Sequence, residues 1–230
     1  MTPTTILCFD RVSLAAQLPY VHDLAEVSFE LGAGELGLVL VPPHTEGLPL
    51  ADLAAGLVVP DAGVVKFEDT DWEEMAADTV AAARGRMGRV FEVRGWISNL
   101  DVDENITLAQ RHHTTRPLGE IEAEALALAQ QFGFADLPRL RPALLRTGEL
   151  RRAAWIRALL GAPTLILLEN PLRDIPATEA AKLLVALLTA RARGAAALWI
   201  AESFQGLENH RAQFSKFWKL EGARLVASKE

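Results

Sequence analysis

Apolar positions along the chain follow two rhythms. In the first third, short β-type runs are separated by polar or glycine-containing turns: "TTILCFDRV" at 4–12, "AEVSFEL" at 25–31 and "ELGLVLV" at 35–41. They predict an antiparallel layer leading into a buried strand. Residues 50–57 are apolar at helical spacing, "PDAG" at 60–63 turns the chain, and "VVKFE" at 64–68 and "GRVFEV" at 88–93 read as strands. From Asp103 to about Leu160 the rhythm is helical, through "DENITLAQR", "LGEIEAEALALAQQFGF" and "GELRRAAWIRALLGA". This predicts an inserted helical subdomain.

The run "TLILLENP" at 164–171 is apolar without alternation until its polar end, as expected of a central parallel strand covered on both faces. A helix at about 177–193 and the strand "AALWIAE" at 196–202 complete a crossover, and "KFWKLEGARLVA" at 216–227 predicts a closing hairpin. The expected organisation is one α/β domain over 1–230. Residues 1–102 and 161–230 form the core with its antiparallel layer, and 103–160 form the helical subdomain.

Composition narrows the picture. Half of the 230 residues are apolar and 23% are charged, enough for one large core or for one core with a small satellite subdomain. The net charge of −7 argues against a nucleic-acid partner, whose binding is driven by Lys and Arg displacing counterions. The amino-terminal "MTPTTILCFD" lacks a basic region before an apolar core, and no apolar run approaches the roughly 20 residues of a membrane span, so a cytoplasmic chain without its own transmembrane segment is expected. The one cysteine, Cys8, is expected as a small core residue. His112 and His113 read as solvated loop residues, the alternating Glu120, Glu122 and Glu124 as the wet face of a helix, and Trp72, Trp155 and Trp199 as core.

Four segments, in order and at family spacing, carry a resemblance: "LAAGLVVPDAGVVKFEDTDW", "ISNLDVDENITLAQ", "RPALLRTGELRRAAWIRALLGAPTLILLENPL" and the strand ending "WIAES". Over about residues 5–227 the chain resembles the nucleotide-binding subunit of an ABC transporter. Within that group it is most similar to the ATPase subunits of Mce-associated (Mla-type) bacterial phospholipid transporters. The resemblance implies a RecA-like parallel sheet core with an amino-terminal antiparallel layer and an inserted helical subdomain.

At the chemistry-bearing positions the sequence departs from the family. The phosphate loop G-x-x-G-x-G-K-[ST] converges backbone N–H groups on phosphate oxygens, with a Lys for charge and a hydroxyl for Mg²⁺. Alignment on "LAAGL" puts Val41, His44 and Glu46 at its glycines, Gly47 at its Lys, and Leu48, followed by Pro49, at its metal hydroxyl. Pro42, Pro43 and Pro49 have no N–H to donate. Glu169 stands at the metal-ligand position, and Asn170, which cannot accept a proton from water, stands at the catalytic base. Glu92 replaces the Mg²⁺-sensing glutamine and Glu202 the switch histidine. The signature loop L-S-G-G-Q reads Leu145, Arg146, Thr147, Gly148, Glu149, and the acidic residue of the following loop aligns with Pro176. The scaffold residues Gly56, Pro60, Gly63, Arg157, Ala158, Leu159, Pro163 and Pro171 remain. These departures predict that ATP and Mg²⁺ do not bind, and that the chain is a catalytically degenerate, non-hydrolysing subunit.

What the resemblance leaves is docking. In the family, the segment after the glutamine strand and the helical insertion receive a short cytoplasmic helix of the membrane permease. The aligned stretch, "EVRGWISNLDVDEN" at 92–105, places Trp96, Ile97 and Leu100 in a polar setting between Arg94 and Asp101. That is the composition of an interface anchor, although Trp96 packed between subdomains is the plainer reading. The expected role is a structural or regulatory subunit under a permease in a lipid-transport system, peripheral on the inner face of the cytoplasmic membrane and paired as a homodimer or with another nucleotide-binding subunit. The alternatives are a divergent but active ATPase, and a soluble regulator without a permease.

Overall fold

The computed structural model describes residues 4–93 and 95–228. In chain order come β1 (Thr5–Leu14), β2 (Leu24–Gly32), β3 (Leu36–Leu40), α1 (Leu50–Ala54), β4 (Ala62–Phe67), β5 (Thr70–Asp71), α2 (Ala77–Gly85) and β6 (Met87–Val90). Three helices follow: α3 (Val102–His113), α4 (Leu118–Gln131) and α5 (Thr147–Leu159). The chain then returns through β7 (Leu165–Glu169), α6 (Ala180–Ala192), β8 (Ala196–Ala201), β9 (Lys216–Glu221) and β10 (Arg224–Ala227).

The strands form two sheets. One is antiparallel, ordered β2-β1-β4-β5, and the other runs β10-β9-β3-β8-β7-β6. In the second, β9, β3, β8, β7 and β6 are parallel and β10 closes an antiparallel hairpin on β9. A period-two register divides each central strand between two cores. Leu165 and Leu167 face the antiparallel sheet and α1, while Ile166 and Leu168 face the helices. The same split separates Leu198 and Ile200 from Ala197 and Trp199. Two-sided burial is why "LILL" carries no alternation, as the sequence predicts.

Local sequence chemistry fixes the helix that frames the site. Asp101 caps α3, and its own N–H donates to Glu104 Oε2 at 2.7 Å, a reciprocal capping box. Val102 and Ile106 turn inward from the same helix. One turn in, the buried Asn105 accepts from Ile97 N–H at 2.8 Å and donates to the carbonyls of Ile97 and Asp101, each at 3.0 Å. This one side chain pins the connection that carries Trp96.

Several expectations are corrected. Cys8 is half-buried, opposite Glu30 and Lys66 on the antiparallel sheet, because alternation along β1 sends Leu7 and Phe9 to the core and turns Cys8 the other way. β6 stops at Val90 and does not run on to residue 93, since the chain leaves the sheet there and carries Glu92 toward β7. His112 and His113 are exposed as expected, but they end α3 and do not lie in a loop. The helix α2 and the short β5 have no sequence signal. α2 is largely exposed, and only Ala83 of its residues is buried, so no apolar stripe marks it. Trp72, Trp155 and Trp199 are buried, as predicted.

Gly88 sets how closely α5 approaches the sheet. A Cβ at this position would lie 1.7 Å from the Ala158 carbonyl oxygen, a backbone atom that cannot yield without moving the helix. Gly88→Ala is therefore expected to cost about 3 kcal/mol or more of stability. A denaturant midpoint equal to that of the unsubstituted protein would contradict this helix–sheet contact.

Candidate functional site

Polar side chains converge where β3, β6, β7 and β8 end. The segment from β3 to α1 holds Val41 by its N–H to the Ala201 carbonyl at 2.9 Å, and the buried Thr45 hydroxyl donates to the Pro42 carbonyl. Left-handed backbone at His44 (φ +63°) and Gly47 (φ +78°) turns the segment twice before Pro49 leads into α1. Pro42, Pro43, His44 and Glu46 are exposed, whereas Gly47 and Leu48 are half-buried.

Beneath this segment lies the first charge cluster. Arg89 projects from β6 between two carboxylates: its Nε donates to Glu169 Oε1 at 2.7 Å, and its terminal nitrogen pairs with Asp52 of α1. Its guanidinium stacks 4.4 Å from the Phe91 ring. The Tyr20 hydroxyl donates to the second oxygen of Asp52 at 2.8 Å. Burial pulls Arg89 down, but the bond and charge of Glu169 and the charge of Asp52 outweigh it and hold the guanidinium above its ordinary value. Burial raises Glu169, and the Arg89 bond and charge oppose that rise. Burial and then Asp52 push the Tyr20 phenol up to about 12.

The second cluster is centred on Arg173, just past β7. One terminal nitrogen lies 3.0 Å from Glu92 Oε1, 3.4 Å from Glu202 Oε1 and 3.9 Å from Glu46 Oε1. Asn170, itself left-handed at φ +41°, donates from Nδ2 to the same Glu92 oxygen at 2.8 Å and accepts the Glu202 N–H at 3.2 Å. Arg151 of α5 donates to the carbonyls of Phe91 and Glu92 at 2.9 and 3.3 Å. The structure thus brings together Glu46, Glu92, Glu169, Asn170 and Glu202, all singled out from sequence. Beside them is a cavity of about 280 Å³ lined by Asn170, Arg173 and Glu202 among others. The signature-loop positions stand close by. A smaller cavity, about 140 Å³, is lined by Glu92, Asp174 and Thr147 among others. Leu145 packs on the core, Arg146 is exposed, Gly148 approaches the Asp174 carbonyl, and the Arg146 N–H donates to Glu149 Oε2 at 2.9 Å.

Trp96 also lines this smaller cavity, beside Glu92. Trp96 is half-buried against the helical core, with Arg157 stacked 4.6 Å from its ring, so the packing that the plainer reading expects is present. Burial pushes Arg157 down to about 10. Ile97 is 44% exposed, and Leu100 is half-buried. Arg94, the expected flanking charge, lies outside the described residues. Trp96 and Ile97 line an open groove of about 560 Å³ with Leu108, His112, His113 and Arg157.

Sequence reasoning missed Tyr20, Asp52, Arg89, Asn105 and Arg173. Arg89 had a readable signal, since a charge within "MGRV", a strand otherwise inward-facing, requires a buried partner. The partners of Arg173 come from residues far apart in the chain and leave no local mark.

Two measurements check this geometry. Tyr20 is the chain's one tyrosine, so ultraviolet titration reads it directly. Because its folded-state value lies above the ordinary 10.0, its contribution is complete below that pH and is lost as pH rises toward about 12. An ionisation midpoint near 10 would contradict the bond to Asp52. Asn170→Asp removes the donor to Glu92 and sets a like charge beside it, so the protein should lose about 1 kcal/mol or more at neutral pH. The melting temperature should fall by a few degrees. An unchanged melting temperature at neutral pH would contradict the Asn170–Glu92 contact.

The chain is similar to known proteins on three counts. The family model described as "ABC transporter" matches residues 49–173. Among curated relatives, the lipoprotein-releasing system ATP-binding protein LolD of Jannaschia sp. is 32% identical over 77% of this chain and 79% of its own length. The intermembrane phospholipid transport system ATP-binding protein MlaF of Escherichia coli K12 is 25% identical over 63% of this chain, and the match spans only 54% of that relative. The molybdenum import ATP-binding protein ModC of Mesorhizobium japonicum is 33% identical over 69% of this chain and 42% of its own length. The fold matches the ATP-binding cassette MJ0796 bound to ADP and Pi, with a TM-score of 0.84 at 17% identity over 97% of this chain and 98% of that one. These matches overturn the expectation that ATP and Mg²⁺ do not bind: the relatives are ATP-binding proteins, and nothing shows that binding is lost. That expectation counted replaced side chains and the N–H groups missing at Pro42, Pro43 and Pro49, whereas residues 44–48 are not prolines and keep the backbone N–H groups on which phosphate cradles are built. With the family model covering more than half of its length, and a relative 32% identical across 77% of it, this chain belongs to the ABC transporter family.

Proposed function

We propose that this chain is a cassette subunit docked beneath the permease of an ABC-type transporter, in which the hydrolytic step is disabled. The observation that carries this reading is that the acidic groups at the catalytic positions are paired with arginines of the same chain. Glu169 is paired with Arg89, and Glu92 and Glu202 with Arg173. Asn170, at the position of the base, is a hydrogen-bond bridge between Glu92 and the Glu202 backbone. A side-chain amide cannot take the proton of an attacking water, and the carboxylates around it are already engaged by arginines.

The family role and the names of MlaF and LolD support a lipid-handling transport system of the Mce/Mla kind, with the subunit peripheral on the cytoplasmic face of the inner membrane and paired with a second cassette, identical or not. Among the described residues no helix is long and apolar enough to cross a membrane. In this reading 1–102 and 161–230 act as the core and 103–160 as the helical subdomain. The permease helix rests in the groove at Trp96 and Ile97, where Asn105 and Arg157 hold the wall in place, and meets Leu100 of the same connection, whose carbonyl accepts from Asn105. A second reading, an active ATPase with non-standard residues, draws support from the ATP-binding relatives.

Affinity purification from the membranes of its native host tests the docking role. It should recover an integral membrane permease. Ile97→Glu places a charge on an exposed apolar wall residue, so it should weaken recovery by about thirtyfold, equivalent to about 2 kcal/mol, with an unchanged melting temperature. Equal recovery by the Ile97→Glu protein would remove the groove from the proposal, and recovery of no membrane protein would remove the docking role.

A further inference from the structure

The connection from β1 to β2, residues 15–23, crosses the segment that links β3 to α1. Two carboxylates fasten its start: the Ala15 N–H donates to Asp61 Oδ2 at 2.7 Å, and the Ala16 N–H to Asp23 Oδ1 at 2.5 Å. The chain then turns, with the Tyr20 N–H donating to the Gln17 carbonyl at 2.9 Å. Its crest lies on Gly47. A methyl group built there would stand 3.3 Å from the Pro19 carbonyl oxygen and 3.5 Å from Val21 Cγ2. Tyr20 reaches past the crest to Asp52, and its ring packs, with Leu48, on the core between the two sheets.

Two features make this crossing a closure that can open. Leu18 is 87% exposed and Val21 58%, so little apolar burial holds the crest down. Asp52 also has a second partner, Arg89, and stays paired when Tyr20 departs. A phosphate reaching Gly47 from the side where a Cβ would stand meets the Pro19 carbonyl oxygen. The Pro19 carbonyl oxygen is an acceptor, as phosphate oxygens are, and two acceptors without a proton between them repel.

We propose that residues 15–23 form a strap that gates the phosphate-loop segment at 44–48, with the Tyr20–Asp52 hydrogen bond as its latch, and that binding of a nucleoside triphosphate displaces it. The closed strap then competes with nucleotide, and apparent affinity falls by the fraction of molecules that are open. This inference rests on nucleotide binding at the family's phosphate-loop position. It is independent of hydrolysis and of permease docking.

The test is a titration of the full chain with Mg·ATP, for the unsubstituted protein and for Tyr20→Phe, which keeps the packed ring and removes only the hydroxyl. The latch predicts about tenfold tighter binding by Tyr20→Phe, the scale of one hydrogen bond to a charged group. In the unsubstituted protein, the Ala16 and Tyr20 amides, which donate to Asp23 and to the Gln17 carbonyl, should exchange faster with solvent when Mg·ATP saturates the site. Equal or weaker binding by Tyr20→Phe, no binding by either protein, or strap amides that stay protected at saturation would each overturn the proposal. Because purification with the permease is measured separately, failure of the strap and failure of the docking role give different results.

Discussion

Strands β7 and β8 are buried on both faces, and that constraint decides where this molecule can keep any chemistry. A polar side chain within such a strand would lose water without gaining a partner, so polar groups collect at the carboxyl ends, where the parallel sheet opens. Glu169 ends β7, and Glu202 follows β8. The loops from β3 and β6 end at the same edge, carrying Glu46 and Glu92.

Carboxylates gathered this closely repel one another unless cations stand among them. Arg89 and Arg173 supply those cations from within the chain, and each joins elements distant in sequence: α1 to β7 in the first case, and the loop after β3 to the ends of β6 and β8 in the second. Such pairs are weak evidence for added stability, because desolvating the charges offsets much of their attraction, but removing one partner leaves an uncompensated charge. The guanidiniums therefore hold the rim's shape more than they add to the fold's free energy. The connection bearing Trp96 is set by different means: a buried Asn105 satisfies its backbone, and Arg157 covers the ring.

Most of the fold was legible in the sequence because burial leaves period-two and helical marks. The "LILL" run of β7 and the short β-type runs of β1 and β2 each follow from a local rule. α2 was not legible because it buries almost nothing. At the site, Glu46, Glu92, Glu169, Asn170 and Glu202 could be named by position within family motifs, and the structure gathers them. Their partners could not, since an Arg173 that meets three carboxylates from three elements has no local pattern. The overturned expectation about ATP and Mg²⁺ weighed the replaced motif side chains and the prolines at 42, 43 and 49, whereas a phosphate cradle is largely backbone and residues 44–48 keep their N–H groups.

The most direct measurement of a disabled hydrolytic step is a single-turnover experiment, in which the purified chain at excess over γ-labelled Mg·ATP is followed for release of labelled phosphate. With Asn170 in place of a base and the neighbouring carboxylates paired to Arg89 and Arg173, the label should be recovered as intact ATP over the whole time course. Release on the scale of ordinary enzymes, about 1 s⁻¹ or faster, would contradict a disabled step and establish these residues as an unorthodox but working ATPase site.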